Sequence, residues 1–251
     1  MKLFALLAVS ALLSCTLAAQ ESDEPFRGPD RGTIVRVPGI QILPAAGKPF
    51  SGRDHIEWKR TLEDGTVVTT ELYAALARDS QGRIYREHMS FVPGNSNQQS
   101  RRREIDLFDP VAHTRTACMV ATRRCTITDY HRSTSFTPQP AGPFDNGKRD
   151  LTRESLGTDV IDGLNVVGTR ETITINVGVV GNSQPLVTLK EFWYSPDLGV
   201  NLAVTRKDPR EGTQEIRVLD LSRTEPDPTM FQIPAGYVVQ DNRHGSAKGQ
   251  N

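Results

Sequence analysis

The stretch Val187–Thr188–Leu189–Lys190–Glu191–Phe192–Trp193–Tyr194 is the densest aromatic run in the chain. It leads into Pro196–Asp197–Leu198–Gly199, where Pro and Asp suit the early positions of a turn and Gly supplies a positive φ at its end. A strand that enters such a turn returns beside itself, so this run commits the region to antiparallel sheet. Pairing residues 187–195 with 200–207 sets Trp193 opposite Leu202, Glu191 opposite Val204 and Leu189 opposite Arg206. The turn Asp208–Pro209–Arg210–Glu211–Gly212 adds a third strand, in which Leu202 meets Val218 and Val204 meets Ile216.

This register predicts one face carrying Leu189, Trp193, Leu202, Val204, Ile216 and Val218. Lys190, Thr205, Glu215 and Arg217 fall on the other, with Phe192, Tyr194 and Leu219 among them. Side chains alternate across a strand, so a slip of one residue would exchange these sets. Glu191 lands on the apolar face, diagonal to Arg206, and is expected to be a paired structural ion, because an unpartnered buried carboxylate costs several kcal/mol. Phe192 and Tyr194 imply that the second face is partly covered as well. A curved sheet with something in its concavity satisfies both faces. The expected fold is therefore mainly β: a curved antiparallel meander, a half-barrel or open barrel with few short helices.

The rest of the chain extends this pattern. Strands are expected over residues 54–62, 66–78, 83–92, 101–108, 114–121 and 124–130, with Asp64–Gly65 a two-residue hairpin turn. Ala74–Ala77 also tolerates a helical reading. Residues 133–150, with Pro138, Pro140, Gly142 and Pro143, form a loop between two halves, 51–132 and 151–240, of one β domain. The second half opens with a hairpin at Asp162–Gly163 and the alternating segment 170–177. Asp227 can cap a single helical turn that begins at Pro228, and Phe231, Ile233 and Tyr237 anchor the closing segment. Residues 241–251 form a polar tail.

The N-terminus sets the compartment. Met1–Lys2 followed by the apolar run Leu3–Leu13 reads as a signal peptide over residues 1–19, too short to span a bilayer, which needs about 20 residues. No later segment reaches that length, so no transmembrane span is expected. Thr16–Leu17–Ala18 fits an ordinary cleavage site, while Leu12–Leu13–Ser14–Cys15 resembles a lipobox that would tether the protein through a lipidated Cys15; both routes stay open. Residues 20–50, with Pro25, Pro29, Pro38, Pro44 and Pro49, read as an extended leader in which residues 39–43 pair briefly at a sheet edge. Export means an oxidising compartment, so Cys118 and Cys125 are expected to form a disulfide across a hairpin.

Composition and motifs mostly exclude. Thirty basic and 30 acidic residues in 251 give zero net charge, which argues against a nucleic-acid partner held through phosphates. No nucleophile elbow, zinc-protease helix, phosphate loop or dinucleotide fingerprint occurs, and no cofactor is expected. The five histidines are scattered; His55 and His88 could meet across strands without making a metal site. Arg101–Arg103 with Arg123–Arg124 reads as a solvated strand end.

The segments Arg78–Asp79–Ser80–Gln81–Gly82–Arg83, Asp109–Pro110–Val111, Glu191–Phe192–Trp193–Tyr194–Ser195, Asp208–Pro209–Arg210 and Glu225–Pro226–Asp227–Pro228 resemble a group of exported bacterial proteins with no assigned function. The closing pattern Phe231, Ile233–Pro234, Gly236–Tyr237 and the long meander look, more remotely, like lipoprotein-localisation carriers. That resemblance implies a half-barrel that holds acyl chains. The sequence thus points to an exported non-enzymatic envelope protein that binds a hydrophobic or acyl ligand, with Trp193, Leu202, Val204, Ile216 and Val218 as candidate contacts. The alternative is a structural or protein-interaction module of the envelope that takes a protein partner and no small ligand.

Overall fold

The computed structural model describes residues 39–130 and 139–243. The expected signal peptide with Cys15, the leader up to residue 38, residues 131–138 of the connecting loop and the tail from residue 244 lie outside the described residues.

Strands β1 (Phe50–Thr61), β2 (Val67–Arg78), β3 (Ile84–Met89), the two-residue β4 (Val92–Pro93), β5 (Arg102–Asp109), β6 (Thr114–Met119) and β7 (Arg124–Asp129) come from the first half. The second half supplies β8 (Gly142–Phe144), β9 (Arg149–Ile161), β10 (Leu164–Ile175), β11 (Leu186–Ser195), β12 (Val200–Asp208) and β13 (Gly212–Ser222). A single 3-10 turn at Pro228–Phe231 and β14 (Val238–Asp241) close the chain. All fourteen belong to one sheet, in the order β14-β7-β6-β5-β3-β2-β1-β13-β12-β11-β10-β9-β8, with β4 against β2. The two ends of this path, β8 and β14, are not paired with each other, and the sheet is a curved open half-barrel. Its two meanders are sewn together where β1 pairs with β13. Residues 74–77 lie in β2, so they are strand and not helix.

Turn chemistry sets most of these hairpins. Asp162 and Gly163 both take positive φ, 48° and 73°, the conformation that a two-residue Asp-Gly connection needs. Gly199 has φ 69° and donates its N–H to Ser195 O at 2.7 Å, closing the β11–β12 turn. Asp227 accepts from Thr229 N–H with Pro228 at the first helical position, as its cap. Cys118 and Cys125 are direct cross-strand partners on β6 and β7 and form a disulfide, which adds roughly 2–3 kcal/mol through loop closure. Asp241, expected to begin the tail, instead completes β14, which runs parallel to β7.

The register of the central meander is partly as expected. Val204 does face Ile216. Between β11 and β12, however, the pairs are Phe192–Val204, Glu191–Thr205, Lys190–Arg206 and Trp193–Ala203, one residue from the expected set. Ala203 in turn pairs with Arg217, so Trp193 and Val218 project from opposite faces. Phe192 takes the inner place that the sequence suggests for Trp193. Glu191 is on the outer face and pairs with Arg170 at 2.6 Å, not with Arg206.

Two clusters fill the two faces. The larger joins Ile56, Leu72, Leu76 and Ile84 to Phe192 through Leu202, Val204, Ile216 and Val218 on the inner face, and it also takes in Leu164 and Val166. The smaller gathers Ala77, Tyr85, Ile105, Leu107 and the disulfide on the outer face, under Met230, Phe231, Ile233 and Tyr237 of the closing segment.

Candidate ligand-binding site

The inner face is crossed by residues 39–43, which form no strand and pair with no edge. Ile40, Ile42 and Leu43 are each 3% exposed or less, so this piece of the Pro-rich leader is core. Gly39 starts it at φ 129°, where an added Cβ would lie 2.5 Å from Arg86 Nη2 and 2.6 Å from Asp54 Oδ2. Only glycine fits so close an approach. Ile40 then donates its N–H to Asp54 Oδ2 at 2.8 Å.

Arg78, fully buried at the end of β2, fixes the other end of this strap. It donates to Leu43 O at 2.9 Å and to Lys48 O at 2.8 and 3.0 Å, and its guanidinium also reaches Leu198 O in the β11–β12 turn. In a flat sheet β2 and β12 would stand roughly 14 Å apart, three strand spacings, so one side chain bridges them only because the sheet curls. The neighbouring Asp79 orders the β2–β3 turn by accepting from Gln81 and Arg83 N–H groups. The motif Arg78–Arg83, which carried part of the resemblance, is thus a clamp and a turn.

Beyond Asp54 no described residue of the strap covers the face, and a hollow of about 300 Å³ lies there. Its apolar wall comes from Ile56 and Trp58 on β1, Leu72 and Ala74 on β2, and Met89 and Phe91 at and after the end of β3. Trp58 is held there by its indole N–H, which donates to Glu211 O at 2.6 Å, and by an edge contact with Phe91 at 6.3 Å between ring centroids. Asp54, Arg86, Glu87, His88 and Gln214 add polar groups. Burial pushes the Asp54 carboxyl up to about 6, against the opposing pull of Arg86 at 4.0 Å and the Ile40 N–H. His88 Nε2 is 2.7 Å from Asp106 Oδ2, and Glu87 receives the Tyr85 hydroxyl at 2.7 Å and Arg102 Nη1 at 2.7 Å.

On the far side of the inner face a row of charged and polar side chains runs across the strands in register. Arg153, Glu171, Lys190, Arg206 and Gln214 are successive cross-strand neighbours from β9 to β13, and Trp58 follows on β1. Glu171, Lys190 and Arg206 are no more than 1% exposed. Arg153 bonds Glu171 and Arg206 bonds Asp208 at 2.8 Å, so these charges belong to a paired network. Burial alone would raise the Asp208 carboxyl, but hydrogen bonds from Arg210 and Thr188 and the Arg206 charge outweigh it and hold it at about 2.

The candidate contacts expected from sequence are placed differently from this hollow. Leu202, Val204, Ile216 and Val218 are 1–3% exposed in the core, and none of them lines the hollow. Trp193 is half-buried, projects on the side of β11 opposite Phe192 and packs against the larger cluster, and its ring leaves no room for a Cβ on Gly168. His55 lies on the outer face, stacked on Tyr73 at 4.4 Å, whereas His88 borders the hollow, so the two histidines do not meet. Among the described residues no cluster of three or more His, Cys, Asp or Glu could hold a metal ion. The residues that sequence reasoning passes over are Ile40, Ile42 and Leu43, Asp54, Trp58 and Phe91. The short Ile-x-Ile-Leu alternation inside the Pro-rich leader is the available signal for the strap.

No family model matches the chain, and no curated protein matches it. Solved structures do. The chain is similar to an uncharacterised conserved protein from Thermus thermophilus, at 12% identity and TM-score 0.39, over 77% of this chain and 90% of that one. It is similar to a chain in the MucA/MucB complex of Pseudomonas aeruginosa at 14% identity and TM-score 0.37, over 75% of this chain and 56% of that one. A third similarity is to the Mycobacterium tuberculosis lipoprotein LppX, at 15% identity and TM-score 0.26, over 72% of this chain and 90% of that one.

Proposed function

We propose that this is an exported, non-enzymatic envelope protein that holds one small hydrophobic ligand in the hollow between Trp58, Met89 and Phe91. The observation that carries this reading is the hollow itself: about 300 Å³ of space walled by six apolar side chains, on a face where other described residues pack into a core. Binding sites of this kind are concave, apolar and largely preformed, with a few polar groups to orient what enters. No helix among the described residues is long and apolar enough to cross a membrane. A lipid on Cys15 would tether the protein to the envelope; substitution Cys15→Ser would then move it from the membrane to the soluble fraction.

The two tryptophans give a direct test. Trp58 lines the hollow and Trp193 does not. Titration with a quenching fatty-acid analogue should therefore extinguish Trp58 emission saturably in a Trp193→Phe variant and leave Trp193 emission unmoved in a Trp58→Phe variant. Equal response of the two, or none from Trp58, would refute the reading.

The second reading is a protein-interaction module. It is favoured by the outer edge of β9, of which only Arg149, Asp150 and Leu151 are paired by β8. The remaining ten residues present an open strand edge among the described residues, the kind of surface that accepts an added strand. Recovery of an envelope partner that is lost when Thr158 is replaced by Pro would favour this reading over ligand binding.

A further inference from the structure

Apolar packing does not account for Asp54. The residue is 2% exposed on the inner side of β1 and lines the hollow beside Ile56 and Ala74. Its Oδ2 is engaged by the Ile40 N–H at 2.8 Å, with Arg86 Nη2 at 4.0 Å from the same oxygen. Its Oδ1 is buried and has no hydrogen-bond partner among the described residues. Such an atom carries the whole cost of its desolvation and is uncommon in native proteins unless something else satisfies it.

We infer that Asp54 Oδ1 is an acceptor kept for the ligand, and that the hollow takes a neutral amphiphile with a hydroxyl head, its chain against Trp58, Met89 and Phe91. This rests on the ligand-binding reading of the hollow and specifies the ligand's chemistry. Charge selects the head group. Asp54 and Arg86 balance each other at the inner end, and Glu87 is already engaged by Tyr85 and Arg102. An anionic head would be set among carboxylates, and a cationic head would lie beside Arg86. A hydroxyl adds no charge and brings the single donor that Oδ1 lacks. Burial holds the Asp54 carboxyl near 6, so at neutral pH it is mainly the carboxylate, whose Oδ1 accepts from a hydroxyl.

The test compares octan-1-ol, octane, octanoate and octylamine on the Trp193→Phe protein, read by Trp58 emission. Octan-1-ol should bind roughly tenfold more tightly than octane, the worth of one net hydrogen bond. Asp54→Leu should bring octan-1-ol down to the level of octane and leave octane unchanged. Asp54→Asn keeps a carbonyl oxygen for the Ile40 N–H and turns an NH2 group that can donate to the hydroxyl oxygen toward the hollow, so it should preserve the preference and guards against a merely structural effect of the Leu substitution. Equal binding of octan-1-ol and octane, tighter binding of octanoate or octylamine, or a preference that survives Asp54→Leu would overturn the inference while leaving an apolar hollow in place. Silence from all four probes would remove the hollow as a ligand site altogether, and this inference with it.

Discussion

The inner face has two ends that differ in one respect: at one the strap of residues 39–43 lies on the sheet, and at the other no described residue does. At the strap's end, Ile40 and Ile42 belong to one buried cluster with Leu76, Ile84, Phe192 and Leu198, and the packing is that of an ordinary core. At the other end Ile56, Trp58, Leu72 and Phe91 surround about 300 Å³ of space. The strands on the two sides are the same strands, so the difference is made by a piece of chain outside the sheet. Asp54 marks the boundary, because the strap's first hydrogen bond ends there. Among the described residues the inner face is thus solid where residues 39–43 cross it and hollow where none does.

Four substitutions or conditions would break or sharpen that contrast, and they fall in a natural order of size. Phe192→Ala, at the solid end, should cost about 3–5 kcal/mol in denaturant unfolding, since the site is 1% exposed within the larger cluster. Arg78→Met should cost about 3 kcal/mol by leaving the carbonyls of Leu43, Lys48 and Leu198 without their donor, and proteolysis within residues 39–49 should accelerate with it. Retention of protection there would show that the strap does not depend on the clamp.

The boundary should respond to pH. The folded-state carboxyl of Asp54 lies at about 6, above its ordinary value of 3.8, so the native state binds this proton more tightly than the unfolded chain. Stability from this group is present in acid and is lost as pH rises from about 4 through 6. Asp54→Asn, which stays neutral, should therefore gain about 2 kcal/mol on the parent between pH 4 and pH 7. Asp208 acts in the opposite sense and in a separate window: its carboxyl is held at about 2, so its contribution disappears only as pH falls below about 4. A constant gap between parent and Asn variant across pH 4–7 would contradict the burial argument. The smallest effect belongs to the hollow. Ala74→Val adds two methyl groups into open space and should change stability by less than about 1 kcal/mol, yet it should weaken binding of every apolar probe.

Much of the architecture can be read from residues. Asp64–Gly65, Asp162–Gly163 and Pro196–Gly199 announce their turns through backbone conformations that few residues adopt, and the cysteine pair announces its hairpin. The faces of β11 defeat such a reading for a physical reason. Hydropathy places the apolar Leu189 and Trp193 inside and Lys190 outside. The structure buries Lys190 within a cross-strand row of Arg153, Glu171 and Arg206, where charges satisfy one another. Alternation shows that two faces exist; it does not show which is dry when one of them carries paired charge. The strap is hidden for a different reason. Prolines rule out helix and central strand, but they say nothing about whether Ile40, Ile42 and Leu43 will be covered, which depends on the curl of strands far along the chain. The hollow follows from the same long-range geometry, so Trp58 and Phe91 carry no local sign of it.

The contrast between the two ends is open to one direct observation. Crystals of the protein under xenon pressure should show the atom bound among Ile56, Trp58, Leu72 and Phe91, since xenon occupies dry apolar space and no other kind of site as readily. The account predicts density there and none beneath Ile40, Ile42 and Leu43. Xenon under the strap, or a hollow occupied by the protein's own side chains with no xenon in it, would contradict it.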